Sequence, residues 1–469
     1  MDEKKRGSFT GQLGFIMAAA GSAVGLGNIW RFPYLAAKDG GGLFIVCYLI
    51  LTVTFGFALL TTEIAIGRKT RKASLAAYKE IHPKWSFLGK IASFVPVIIL
   101  PYYCAIGGWI FKYLFVYITG KGHSAVEDGF FTGFITNQVT PIFWMLLFFL
   151  ATATVVYLGV DKGIEKYSRI FMPILVVMII GIAIFSLTLK HTDADGTVRS
   201  GLQGLKVYLI PNMEGITIGK LFSVIMDAMG QLFYSISVAM GIMVTYGSYV
   251  KKDTNLSKSI NQIEFFDTAI AMSAGMMIIP AVFTFMGTEG LAASGPGLIF
   301  VSLPKVFDAM GTIGYILAPI FFIIVSFAAV TSSVSIMETI VSSIIDVMKH
   351  ERKKSVVLVS IYAVIMGIVV CFGYTFFYFD LTLPNGSVGQ ILDVMDYLSN
   401  NILMPIVALL TSILIGWVVK PKTIIDEVKG EEFLEVPYKF GREKLYVVLI
   451  KFIVPILIIL LFLQALGLF

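Results

Sequence analysis

Apolar stretches of roughly 20 residues recur along the whole chain, separated by short polar segments, and each is long enough to cross a bilayer as a helix. The pattern predicts spans at about Leu13–Ala37, Gly42–Gly67, Ile91–Ile118, Pro141–Leu158, Phe171–Leu189 and Leu221–Tyr249. Further spans are predicted at about Phe265–Met286, Ile316–Met348, Val356–Phe377, Val388–Val419 and Leu445–Leu466. Two of these eleven runs cannot be ordinary membrane helices. The first contains Gly21, Gly25, Gly27, Asn28, Arg31 and Pro33; the sixth contains Gln231, Ser235, Ser237 and Gly241. Glycine weakens helix, proline removes a donor, and polar groups are costly in hydrocarbon. Unwound backbone at membrane depth persists only where protein buries it or a watery cavity receives it. Exposed carbonyls at such a break can ligate a cation, and the N-terminus of the following half-helix attracts an anion.

The breaks fall in the first and sixth spans, at equivalent positions of two five-span halves. That placement predicts an inverted repeat with a site at the midplane. The expected organisation is a first repeat over residues 1–189, a second over 219–419, and a peripheral eleventh span over 444–467. The fold class is therefore an all-α polytopic membrane protein.

Composition agrees, with 57% hydrophobic and only 14% charged residues. The formal charge of +6 sits in short loops between spans and gives no argument for nucleic acid. Loops rich in Lys and Arg (Lys4 to Arg6, Arg68 to Lys84, Lys162 to Arg169, Lys251 and Lys252, Lys349 to Lys354) alternate with poorer ones. This predicts a cytoplasmic N-terminus and an external C-terminus, in a plasma (inner) membrane. Cys47, Cys104 and Cys371 lie in apolar runs and read as packing thiols. The four His residues lie in or beside loops, which leaves no His cluster for a metal or an intramembrane proton relay. No Ser–His or paired-Asp arrangement sits at one membrane depth, so an enzyme is not expected.

Several motifs carry a closer likeness: Ala23-Val-Gly-Leu-Gly-Asn28, Trp30-Arg-Phe-Pro33, Gly230-Gln-Leu-Phe-Tyr-Ser235, Thr245-Tyr-Gly-Ser-Tyr249, Thr331-Ser-Ser333 and Asp393-Val-Met-Asp396. With them the chain resembles the neurotransmitter:sodium symporter family, the sodium-coupled amino acid and monoamine transporters of the leucine-transporter fold. The resemblance covers the first ten spans and implies a bacterial amino acid transporter. It implies two sodium sites. One comprises Gly21, Val24, Ala328, Thr331 and Ser332. The other comprises Ala23, Asn28, Ser235 and Asp267, completed by the substrate's carboxylate. Asp267 departs from the Asn usual in the family, and Ala271 follows it by four residues. Chloride is not expected, because Asp267 would supply its negative charge.

The same resemblance places substrate among Ala23, Gly25, Leu26, Gly27, Ile99, Tyr103, Tyr234, Ser235, Ser237, Met240, Ser332 and Ile336. Gly25 stands where monoamine transporters carry a carboxylate, which leaves room for a substrate bringing its own. The mostly apolar lining points to a neutral, hydrophobic amino acid. Arg31 with Asp396, assisted by Gln231, is expected to gate one side; Arg6 with Asp346, supported by Tyr249, the other. Glu63 is expected to accept amide protons from unwound backbone. The implied activity is sodium-coupled import by alternating access. A proton-coupled or sodium-independent carrier or channel remains the alternative, with an intramembrane enzyme or non-transporting sensor behind it.

Overall fold

A computed structural model describes residues 7–193, 196–291 and 295–468. The helices follow from the solvent: in lipid each long apolar run must satisfy its own backbone, which only a helix does within one segment. The first span is broken into α1 (Gln12–Ala23) and α2 (Gly27–Lys38), bent by 54°. There follow α3 (Gly42–Thr70), α4 (Pro83–Ile118), α5 (Thr140–Leu158) and α6 (Val160–Leu187). The sixth span is α7 (Ile218–Ser235) and α8 (Ile242–Gly247), with no helix between them. The chain continues through α9 (Leu256–Gly290), α10 (Thr312–Met348), α11 (Arg352–Phe372), α12 (Ile391–Val418) and α13 (Glu443–Ala465).

Among the described residues nine helices are long and apolar enough to cross a membrane, and the bent first pair makes ten. The sixth predicted span falls short of that apolarity because α7 carries Lys220, Asp227 and Gln231. Several helices outrun their apolar cores: α4 begins at Pro83 and α6 at Val160, since polar residues continue a helix beyond the lipid at no cost. Two short antiparallel hairpins, Lys190–Thr192 with Val198–Ser200 and Leu381–Thr382 with Val388–Gly389, lie in loops where no strand was expected. Cys47, Cys104 and Cys371 are free thiols.

The broken first span lies at the centre. α1 packs against α6, α9 and α10, while α7 and α8 both pack on α3. α4 and α10 run along one another and complete the ring around the break. Outward-facing residues such as Val177, Ile184 and Val357 are exposed and apolar, as a lipid-facing surface requires. α13 packs on α12 and α7. At its end the Tyr397 hydroxyl of α12 donates to the Ala465 carbonyl at 2.5 Å.

Candidate functional site

The first break is made by local chemistry. α1 ends at Ala23, and Val24 turns extended (φ −75°, ψ 90°), which aims its carbonyl out of the helix. Asn28 holds the gap: its Oδ1 accepts from the Gly25 amide at 3.2 Å. α2 then opens with a π turn over Gly27–Arg31, a feature common at functional sites. Gly25 is required sterically. A Cβ there would lie 2.7 Å from Ser332 Oγ and 3.4 Å from the Tyr103 hydroxyl.

The second break, Ile236–Gly241, runs through left-handed backbone at Ser237, Ala239 and Gly241. Two of those are not glycine, so the conformation must be held from outside. Glu63, fully buried on α3, accepts the Ala239 amide at 2.6 Å, and Ser237 Oγ donates to the Ser22 carbonyl at 3.0 Å. The expectation for Glu63 thus matches the geometry: it accepts a proton from unwound backbone.

Between the breaks lies a cavity of about 30 Å3. Of the residues expected to hold substrate, all but Ser235 line it, together with Ser22 and Ile242. The Tyr103 hydroxyl is buried there without a hydrogen-bond partner. Ser235 turns the other way, into a buried knot. Its Oγ donates to Asp267 Oδ1 at 2.6 Å, and Asn28 Nδ2 donates to the same oxygen at 2.8 Å and to Ser235 Oγ at 2.9 Å. Tyr48 closes the knot, donating to Asp267 Oδ2 at 3.1 Å. Sequence reasoning missed Tyr48, one aromatic in an apolar run, and Ser22, whose only signal was adjacency to the break.

The face of Gly21 that a side chain would occupy meets Met172 and Ser168 on α6, and it is the neighbouring Ser22 carbonyl that meets α10. On α10, Thr331 Oγ1 lies 3.0 Å from the Ala328 carbonyl, and Ser332 Oγ donates to the Ser22 carbonyl at 3.1 Å. That last bond joins α10 to the frayed end of α1. Thr331 also bonds back to Phe327 at 2.9 Å within its own helix.

Above the cavity is a vestibule of about 640 Å3, lined by α2, α7, α12, the end of α13 and the Asn385–Ser387 turn. Tyr234 lines both spaces, and the Arg31 guanidinium lies over its ring, 6.0 Å from the centroid. Arg31 and Asp396 do not form an ion pair in this arrangement. Asp396 Oδ1 instead accepts from Asn400 Nδ2 at 2.7 Å, and the vestibule is lined by both α2 and α12. Nor does Gln231 bond Arg31; its Nε2 donates to the Gly27 carbonyl at 3.0 Å, which secures the first turn of α2.

The opposite side is shut. Phe9 is buried against Phe15, Tyr246 and Tyr249, and its amide donates to the Tyr249 carbonyl at 3.1 Å. The Tyr249 hydroxyl donates to Glu338 Oε1 at 2.5 Å and lies 2.9 Å from Ser342 Oγ, whose own hydrogen can complete that contact. Arg352 pairs with the same Glu338, a buried carboxylate the sequence reading did not single out. Asp346 Oδ2 accepts the Ala73 amide at 2.6 Å. Arg6, its expected partner, lies outside the described residues.

Two broken spans enclosing a small, mostly apolar cavity, with a vestibule on one side and a sealed face on the other, define a membrane transporter and not an enzyme. The model of the sodium:neurotransmitter symporter family matches residues 6–123 and 133–468. The chain belongs to that family and is a sodium-coupled transporter. It is 34% identical over its whole length to an uncharacterized sodium-dependent transporter of Bacillus subtilis, covering 99% of that protein. It is 24% identical to the human sodium- and chloride-dependent GABA transporter 2, over 91% of this chain and 75% of that one. The crystal structure of MhsT in complex with L-phenylalanine superposes with a TM-score of 0.84 at 34% identity, covering 98% of this chain and 100% of that one.

Proposed function

We propose that this transporter carries a neutral, hydrophobic L-amino acid inward together with sodium, by alternating access. The observation that carries the reading is the cradle at Gly25. A space that one Cβ would fill lies between Ser332 and the partnerless Tyr103 hydroxyl, beside the N-terminus of α2. A substrate carboxylate there accepts from Tyr103 and from the Leu26 and Gly27 amides, in the field of the helix end. Ile99, Met240 and Ile336 receive an apolar side chain. The L-phenylalanine held by MhsT, a protein of the same fold and 34% identity, supports this substrate class.

Two sodium ions fit the two oxygen groups. In the first, a half-turn of the Asn28 amide would bring its oxygen beside Asp267 Oδ1 and Ser235 Oγ, and sodium would replace the amide hydrogens that now bridge them. The Ala23 carbonyl and the substrate carboxylate complete that shell. Asp267 provides the negative charge that faces the bound sodium, so chloride has no role. In the second, carbonyls of Gly21, Val24 and Ala328 and hydroxyls of Thr331 and Ser332 hold an ion that ties α1 to α10. Coupling follows if sodium binds one state better than the other. Basic loops on the sealed face support a cytoplasmic position for that face and an external one for the vestibule. Residues 1–189 and 219–419, each opening on a broken span, act as the two repeats that rock against each other.

Counterflow of a panel of radiolabelled amino acids in proteoliposomes, with and without sodium, tests the proposal. Exchange of leucine- or phenylalanine-like substrates only with sodium is expected. Exchange that persists without sodium under a pH gradient would replace this reading with a proton-coupled carrier.

A further inference from the structure

At the mouth of the vestibule, three charged side chains join the outer halves of the two broken spans. Lys38, the last residue of α2, places Nζ 2.7 Å from Asp227 Oδ2 on α7. The next residue, Asp39, is only 6% exposed. Its Oδ1 lies 3.9 Å from the same Nζ, and its Oδ2 is buried with no hydrogen-bond partner. Lys220 on α7 and Tyr34 on α2 are the other titratable groups facing the cluster. The Val207–Asn212 segment packs here through backbone carbonyls, and its Tyr208 hydroxyl is engaged elsewhere, by the Met272 carbonyl at 3.0 Å.

We propose that Asp39 binds one proton from the vestibule side, and that this proton sets how firmly α2 and α7 are held together at the mouth. The one ammonium in contact, Lys38, lies 2.7 Å from Asp227 and 3.9 Å from Asp39, and Lys220 faces the cluster only from beyond ion-pair distance, so with both carboxylates ionised Asp39 is the weakly compensated charge in a buried corner. Asp39 and Asp227 then repel across the α2–α7 seam. With Asp39 protonated, Lys38 and Asp227 remain as a matched pair and the repulsion is gone. Burial, followed by the charge of Asp227, pushes Asp39 up to about 7 against the pull of Lys38, which brings the change close to neutral pH. The seam lies along the vestibule wall, where Lys38 and Asp227 both appear. Alkaline medium therefore loosens the mouth and acid tightens it. The inference rests on the proposed orientation and not on which substrate is carried.

Asn401 lines the same vestibule and reports its opening. Protein carrying Asn401→Cys and Cys47→Ser is reconstituted in liposomes and labelled with a membrane-impermeant thiol reagent at external pH of about 6 and about 8. Dividing each rate by that of the same protein with Asp39→Asn cancels the titration of the thiol itself. The ratio is expected to rise about threefold or more from acid to alkaline medium, as charge repulsion opens the seam. Replacing Asp227 with Asn in the Asp39 protein should abolish that rise. A ratio that stays flat or falls overturns the proposal, as does a rise that survives Asp227→Asn. A rising ratio in protein that shows no sodium-driven phenylalanine uptake would count against the transport reading alone.

Discussion

Asn28 Nδ2 stands 2.8 Å from Asp267 Oδ1, a bond that joins the break in the first span to α9 across the middle of the protein. Two more donors, Ser235 and Tyr48, converge on the same carboxyl group, which has no exposed surface. A carboxylate is too expensive at that depth without a cation or a proton, and the proposed function gives it the cation. Asp267→Asn should keep the knot's shape and lose its charge. Uptake by the wild type is expected to be equal in chloride and gluconate, while the variant needs chloride or fails. Chloride-independent uptake by Asp267→Asn at the wild-type rate would remove the charge from the mechanism.

Gly25→Ala places a methyl group 2.7 Å from Ser332 Oγ, inside the cradle proposed for the carboxylate. Overpacking of this kind costs ~1–3 kcal/mol in the folded protein, and the methyl also occupies the space proposed for the substrate. Sodium-driven uptake should drop about tenfold or more, beyond what the accompanying modest fall in thermal stability in micelles accounts for. Unchanged uptake would place the substrate elsewhere.

Tyr103→Phe separates binding from stability. The hydroxyl has no partner in the protein alone, so its removal should leave the melting temperature unchanged or slightly raised. A hydrogen bond to a charged carboxylate is worth ~1.5–3 kcal/mol, so KM should rise about tenfold or more. A variant with unaltered KM and a lowered melting temperature would make Tyr103 a packing residue.

On the sealed face, Arg68 and Glu427 form an ion pair at 2.7 Å with side chains 0% and 1% exposed, and Arg68 Nη1 also donates to the Thr254 carbonyl at 2.8 Å. The pair fastens the end of α3 to the helix Lys422–Lys429. Glu427→Gln strands a buried guanidinium, which typically costs ~3–5 kcal/mol. Guanidinium or thermal unfolding should show that loss, whereas Lys69→Gln, which removes only an exposed pair with Glu432, should cost under ~1 kcal/mol.

The sequence by itself determined the helices, the two breaks and the residues gathered around them. Hydrocarbon penalises Gly, Pro, Asn and lone carboxylates locally, so Gly25, Asn28, Ser237, Glu63 and Asp267 announce themselves wherever they fall in apolar runs. Tertiary structure alone decided which way those groups turn. Ser235 faces Asp267 and not the cavity, Gln231 serves the Gly27 carbonyl and not Arg31, and Arg31 lies over Tyr234 without a direct bond to Asp396. It also made Tyr48 and Ser22 part of the site and brought the end of α13 over the vestibule. Those placements depend on side chains some 200 residues apart meeting at hydrogen-bond distance, as Asn28 and Asp267 do across 239 positions. Hydropathy is a property of each segment, whereas the aim of a hydroxyl or an amide is set by the neighbours that packing supplies.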